Sequence, residues 1–176
     1  MNTPDILLHP GLYNSGPEHW QSHWEREYGF TRILQNDWET PVLQDWLLGI
    51  DRTLNGRDLS QVILVGHSLA CCTIAHWAHE RGQLIKAALL VGPSDVEAPS
   101  YPPGTTGFVP MPLYKMPFPS IVVASSNDEY VTPDRAAFFA KAWGSRLINA
   151  GDKGHINSAS GLDNWPEGLQ LLQQLY

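Results

Sequence analysis

The chain has 176 residues, 43% of them apolar, and a formal net charge of −7, which fits one domain over residues 1–176 with a sizeable core. The acidic balance and the lack of a basic cluster argue against nucleic acid or an anionic membrane surface as partner. No apolar run approaches a membrane span, the first nine residues lack the basic start of a signal peptide, and the only two cysteines, Cys71 and Cys72, are adjacent and read as small core residues of a reducing, cytoplasmic compartment.

Strand-like and helix-like stretches alternate along the chain. Residues 5–9, Asp-Ile-Leu-Leu-His, predict a short strand that runs into Pro10-Gly11. A helix-like stretch over 18–28 precedes a second strand over 31–35. Pro41 opens a second helix, since proline suits the first turn, and Val42, Leu43, Trp46, Leu47 and Ile50 recur there at helical spacing. Residues 62–65, Val-Ile-Leu-Val, predict a buried strand that runs straight into Gly66-His67-Ser68, followed by a helix over 69–81. Further strands are expected at 87–91, 121–124 and 146–149, and further helices at 133–143 and 166–176. This alternation implies a mostly parallel sheet covered by helices on both faces, joined by right-handed crossovers. Six strands are too few for a closed α/β barrel. A doubly wound open sheet remains, and such sheets carry their sites at the carboxyl ends of the strands.

Residues 99–119 stand apart. They hold seven of the fourteen prolines, so they form neither a helix nor a central strand. Phe108, Met111, Leu113, Tyr114, Met116 and Phe118 are interleaved with those prolines. That apolar content predicts an ordered loop packed over the strand ends.

The strand, tight turn and helix around Ser68 have the form of a nucleophile elbow, whose usual pattern is G-x-S-x-G; here Ala70 stands at the last glycine. Gly-x-Ser alone is weak, because about one is expected by chance in a chain this long. A second one, Gly92-Pro93-Ser94, also follows an apolar run. A compact helix start follows Ser68, whereas a proline-rich loop follows Ser94, and this separates them. Ser68 as a plain helix N-cap is the competing reading.

A serine hydroxyl needs a base, and the base needs an orienting group. Of seven histidines, His155 is the best base, in a loop between the last strand and the last helix. His67 is too close to Ser68 in sequence, and its side chain is expected to point away. His76 and His79 read as packing residues on the helix after the elbow. His19 and His23, four apart, suggest a metal pair, but Trp20 stands where a zincin carries glutamate, so no metal is expected. Residues 11–16 lack the dinucleotide fingerprint and no P-loop lysine is present, so no cofactor is expected. Asp128, after the strand at 121–124, leads as the orienting acid. Asp95 and Asp152 stay open as alternatives, and Asp134 reads as a first-turn helix residue. An oxyanion would be held by the backbone N–H of Leu69 and by that of Leu12, or of Gly11 in its place. Tyr13 and Asn14, with Phe108 and Met111, are expected to line the substrate pocket.

With these residues in hand, the chain resembles a family of small serine hydrolases that includes the bacterial YdeN-like proteins and the mammalian retinoblastoma-binding member. The resemblance rests on Pro10-Gly11 with Ser15 and His19-Trp20-Gln21. It continues through Gln35-Asn-Asp-Trp38 with Pro41 and Trp46, His67-Ser68-Leu69, Ser126-Asn-Asp128 and Trp143-Gly144-Ser145. It ends on Gly154-His155-Ile-Asn157, Ser160-Gly161 and Trp165-Pro-Glu-Gly168. It implies a reduced α/β-hydrolase fold with strand order 2-1-3-4-5-6 and no helical cap. It places nucleophile, acid and base on Ser68, Asp128 and His155. The activity it implies is hydrolysis of small carboxylic esters through an acyl-enzyme. A thioesterase or acyltransferase would use the same acyl-serine. The retinoblastoma-binding relative keeps a second class in view, a binding or regulatory protein with a protein partner and little turnover.

Overall fold

The computed structural model describes residues 4–176, so the first three residues of the amino-terminal segment lie outside the described part. Six parallel strands form one sheet in the order β2-β1-β3-β4-β5-β6: β1 (Asp5–His9), β2 (Thr31–Arg32), β3 (Val62–His67), β4 (Ala87–Val91), β5 (Ser120–Ala124) and β6 (Arg146–Asn149). Five helices alternate with them: α1 (Trp20–Tyr28), α2 (Leu43–Leu54), α3 (Leu69–Arg81), α4 (Pro133–Trp143) and α5 (Pro166–Gln173). No helix is long and apolar enough to cross a membrane among the described residues.

Side chains alternate across a strand, so a sheet buried on both faces needs apolar residues at every position. The inner strands β1, β3, β4 and β5 follow this, buried at every position but Asp5, whereas the edge strands β2 and β6 do not. Leu7, Leu64, Leu90 and Val122 face one core with α2, α3 and α4. Ile6, Leu8, Val65, Leu89 and Val123 face the other, with Trp20, Trp24 and Trp165 against them. The helix ends follow local rules. Thr132 caps α4 by accepting the Arg135 N–H at 3.3 Å, Pro133 fills the first turn, and Gly144 ends the helix at φ 70°.

Six elements differ from the expected bounds: α1 begins at Trp20, β3 runs on to His67 and β5 begins at Ser120, and three others shift as follows. The second strand stops at Arg32, because Gln35 turns inward, its Nε2 donating to the Trp46 carbonyl at 3.0 Å and lying 3.1 Å from His9 Nε2. The second helix starts at Leu43, two residues after Pro41. Val42 is spent on a bridge to Thr106, and the Pro41 carbonyl accepts the Thr106 N–H at 2.9 Å. The last helix ends at Gln173, short of 176.

The proline-rich loop is ordered, but most of it covers helices, and only its start at Tyr101 and Pro102 reaches the strand ends. Phe108 is 1% exposed and packs edge-on to Trp46 at 5.8 Å. Its carbonyl lies 3.2 Å from His76 Nε2. The Trp143 indole N–H donates to the Pro112 carbonyl at 2.7 Å, and Tyr114 stacks on His79 at 3.6 Å. The loop therefore seals the core formed by α2, α3 and α4.

Candidate active site

The turn between β3 and α3 holds Ser68 at φ 58°, ψ −123°, a backbone conformation that side-chain-bearing residues seldom adopt and that clusters at functional sites. The crowding is visible at the neighbours. A Cβ on Gly66 would lie 2.7 Å from Ile74 Cδ1, and one on Gly11 would lie 2.8 Å from both the His67 carbonyl oxygen and Ser68 Cβ. Ala70, at the usual glycine, is fully buried and its single methyl is accommodated. Ser68 does not cap α3 with its side chain. Its Oγ turns instead to His155 Nε2 at 2.8 Å.

His155 Nδ1 lies 2.9 Å from both Asp128 carboxylate oxygens. A carboxylate only accepts, so Nδ1 carries the proton and bare Nε2 accepts the Ser68 hydroxyl. The Asp128 side chain is fully shielded, and its Oδ1 also accepts the Tyr130 N–H at 2.8 Å. The loops after β5 and β6 are locked together. Asn127 Oδ1 accepts the Gly154 N–H at 2.7 Å, and Ser125 Oγ accepts that of Lys153 at 2.8 Å. Behind the pair, Gly92 packs so closely that an added Cβ would lie 3.2 Å from the His155 carbonyl oxygen.

The other acids are elsewhere. Asp95 is held by Arg135, with contacts of 2.7 and 3.1 Å. Arg135 also donates to Glu97 at 2.7 Å and stacks over Phe139 at 4.6 Å. Asp152 lines a neighbouring depression that also borders His155, and no hydrogen bond joins its carboxylate to that ring; Asp134 lies in the first turn of α4.

Leu69 N and Leu12 N have no hydrogen-bond partner among the described residues. Tyr13 N, by contrast, donates to the Trp38 carbonyl at 2.7 Å. Gly11, pressed against the elbow, brings the Leu12 peptide alongside Ser68. A cavity of about 350 Å³ opens there, with Leu12, Tyr13, Asn14, Ser68 and His155 in its walls. Phe108 and Met111 do not line it; both are buried in the core. Only Tyr101 and Pro102 of the proline-rich segment reach the cavity.

Several cavity residues escape the sequence reading. His67 does not point away. It lines the cavity, and its Nε2–H donates to the His155 carbonyl at 2.9 Å. His19 also lines it, with its ring 4.7 Å from that of His67. Its Nδ1 accepts the Gln21 N–H, capping α1, so Nε2 carries the proton. That Nε2, like the Tyr101 hydroxyl, is buried without a partner among the described residues. Burial pushes His19 down to about 3, helped by the Arg32 charge, and burial holds His67 well below the ordinary histidine value, helped by His19 and His155. No group of three or more His, Cys, Asp or Glu that could hold a metal occurs among the described residues. Tyr130 sits 4.5 Å from the His155 ring. Ser94 is 2.7 Å from Ser68 Oγ. The signal for Ser94 was strand pairing: β4 lies beside β3, His67 opposite Val91, so whatever follows Val91 must stand beside Ser68.

The serine hydrolase family profile matches residues 6–174. The chain belongs to the serine hydrolase family. A YdeN-like hydrolase of Pectobacterium atrosepticum is 34% identical, with 98% of this chain and 90% of that chain covered and a TM-score of 0.85. The ydeN gene product of B. subtilis is 19% identical, with 98% of each chain covered and a TM-score of 0.80. A monoacylglycerol lipase of Paleococcus ferrophilus, 12% identical over 99% of this chain and 96% of that one at a TM-score of 0.71, shares the fold. No curated protein matches the chain at a significant level. This serine hydrolase thus has the reduced α/β-hydrolase sheet, with no cap domain among the described residues.

Proposed function

We propose that this serine hydrolase cleaves compact carboxylic esters through an acyl-enzyme on Ser68, with His155 as general base and Asp128 as its orienting acid. The observation that carries the reading is the continuous relay from Ser68 Oγ to His155 Nε2 at 2.8 Å and from Nδ1 to Asp128 at 2.9 Å, beside an open cavity. Ser68 Oγ attacks the ester carbonyl while its proton passes to His155 Nε2. The Leu12 and Leu69 amides receive the oxyanion, each donor worth about 3 kcal/mol. The intermediate collapses as His155 returns the proton to the departing alcohol. Water then repeats the sequence on the acyl-enzyme and frees the acid.

The cavity is near the lower end of ligand-site volumes, about 300–1,000 Å³, which favours short acyl groups. Tyr13, Tyr101 and Tyr130 supply flat walls. The unpartnered His19 Nε2–H and Tyr101 hydroxyl suit a substrate that carries a hydrogen-bond acceptor. A fluorophosphonate probe is expected to label the wild type but neither Ser68→Ala nor His155→Ala. p-Nitrophenyl esters from acetyl to octanoyl are expected to turn over best at the short end. Equal labelling of Ser68→Ala would sink the assignment. Slow turnover of every ester despite labelling would favour a binding protein.

A further inference from the structure

Ser68 Oγ has two side-chain neighbours. His155 Nε2 lies at 2.8 Å and Ser94 Oγ at 2.7 Å. A hydroxyl offers one donor and two acceptor sites. Asp128 fixes the imidazole proton on Nδ1, so Ser68 spends its donor on His155. Its oxygen then has lone pairs to fill, and the Ser94 O–H is the donor within reach. Ser94 is 1% exposed and its Oγ has no other partner among the described residues.

The fold holds Ser94 firmly at that point. The Ser68 N–H donates to the Val91 carbonyl at 2.9 Å, which ties the elbow to the end of β4. Gly92, at φ 55°, turns the chain, and the Pro93 ring fixes its own φ just before Ser94. On the far side, the Asp95 N–H donates to the Tyr130 carbonyl at 2.9 Å, and the Asp95 carboxylate grips Arg135. Asp95 is thus an anchor for the Ser94 turn.

We propose that Ser94 is a further catalytic residue, whose O–H donates to Ser68 Oγ and stabilises that oxygen whenever it carries negative charge. This rests on the reading of Ser68 as nucleophile. Charge builds on Oγ twice. In acylation, the Ser68 proton moves to His155 as the Oγ–C bond forms. In deacylation, the Oγ–C bond breaks, its electron pair returns to Oγ, and His155 Nε2–H reprotonates it. Ser94 keeps its own proton throughout and forms no covalent bond. Its hydroxyl also holds Ser68 in the rotamer that faces His155.

The test is burst kinetics with p-nitrophenyl acetate, alongside the second-order rate of fluorophosphonate labelling, on the full chain. Ser94→Ala is expected to slow acylation and deacylation by about tenfold each, the scale of one hydrogen bond to an oxygen gaining charge, with KM and Tm little changed. Ser94→Thr and Ser94→Val are nearly the same shape, and only threonine keeps the hydroxyl. Threonine is expected to restore most of the rate relative to valine, a difference that a packing role would not produce. Wild-type rates in Ser94→Ala, a change confined to KM, or equal rates in the Thr and Val variants would overturn the proposal alone. A wild type that does not label at Ser68 would overturn the hydrolase reading and this inference together.

Discussion

At the scale of single residues, the site depends on what is not there. Gly11 has no side chain because a Cβ would sit 2.8 Å from elbow backbone, which cannot yield as the end of a flexible side chain can. Gly11→Ala is expected to push the Leu12 amide off the proposed oxyanion position and lower kcat by about a hundredfold, the effect of losing one such donor. Gly16→Ala, where nothing lies within 4 Å, is the control and should leave kcat unchanged. The acids separate in the same way. Asp128→Asn keeps the shape but removes the charge behind His155, so the proposed ester hydrolysis should fall on the order of 10⁴-fold with little change in Tm. Asp95→Asn breaks a half-buried pair with Arg135. Discounted for the exposure of Arg135, that costs about 2 kcal/mol, or about 5 °C in Tm, and Ser68 should still label.

At the scale of elements, β1, β4, β6, α3 and α4 were legible from sequence to the residue, because strong apolar runs, Pro133 and the flanking glycines mark their ends. Ser68, Asp128 and His155 also stand out in the sequence, since each lies in a loop just past a strand, and the structure brings the three side chains together. What stayed hidden is what only tertiary pairing creates. Gln35 leaves the sheet because His9 and Trp46 offer it buried partners, and nothing local to residues 31–35 announces them. Ser94 read as a spurious Gly-x-Ser because adjacency across β3 and β4 is not written in either segment. Composition alone points the proline-rich loop at the pocket, yet apolar side chains between prolines fit a core seal equally well. Phe108→Leu tests the corrected assignment. It should cost about 1 kcal/mol in urea denaturation and leave the chain-length preference for esters unchanged, whereas a pocket residue would shift it.

At the scale of the whole molecule, three buried imidazoles shape the response to acid. Burial lowers His9 to about 4 and His19 to about 3, and holds His67 lower than an ordinary histidine. The unfolded chain, with histidines near about 6.5, binds protons that the fold refuses. Stability from these groups is therefore complete above about pH 7 and is lost as pH falls through 6.5 towards 4, by up to about 1.4 kcal/mol per pH unit for each. The urea midpoint should drop between pH 7 and pH 5, and His19→Asn, which can still cap α1, should flatten the slope. Heat acts on a different part. Ser68, the proposed nucleophile, stands over central β3, buried along its length, while the His155 loop hangs from β6, an edge strand with three of its four residues exposed. Edge elements open at lower free energy than the centre of a sheet. Warming should then fray β6, and detach the proposed base, while the elbow is still folded. Ester hydrolysis would fade several degrees before the tryptophan fluorescence of the core reports melting, and on cooling it would return without the whole chain having to refold.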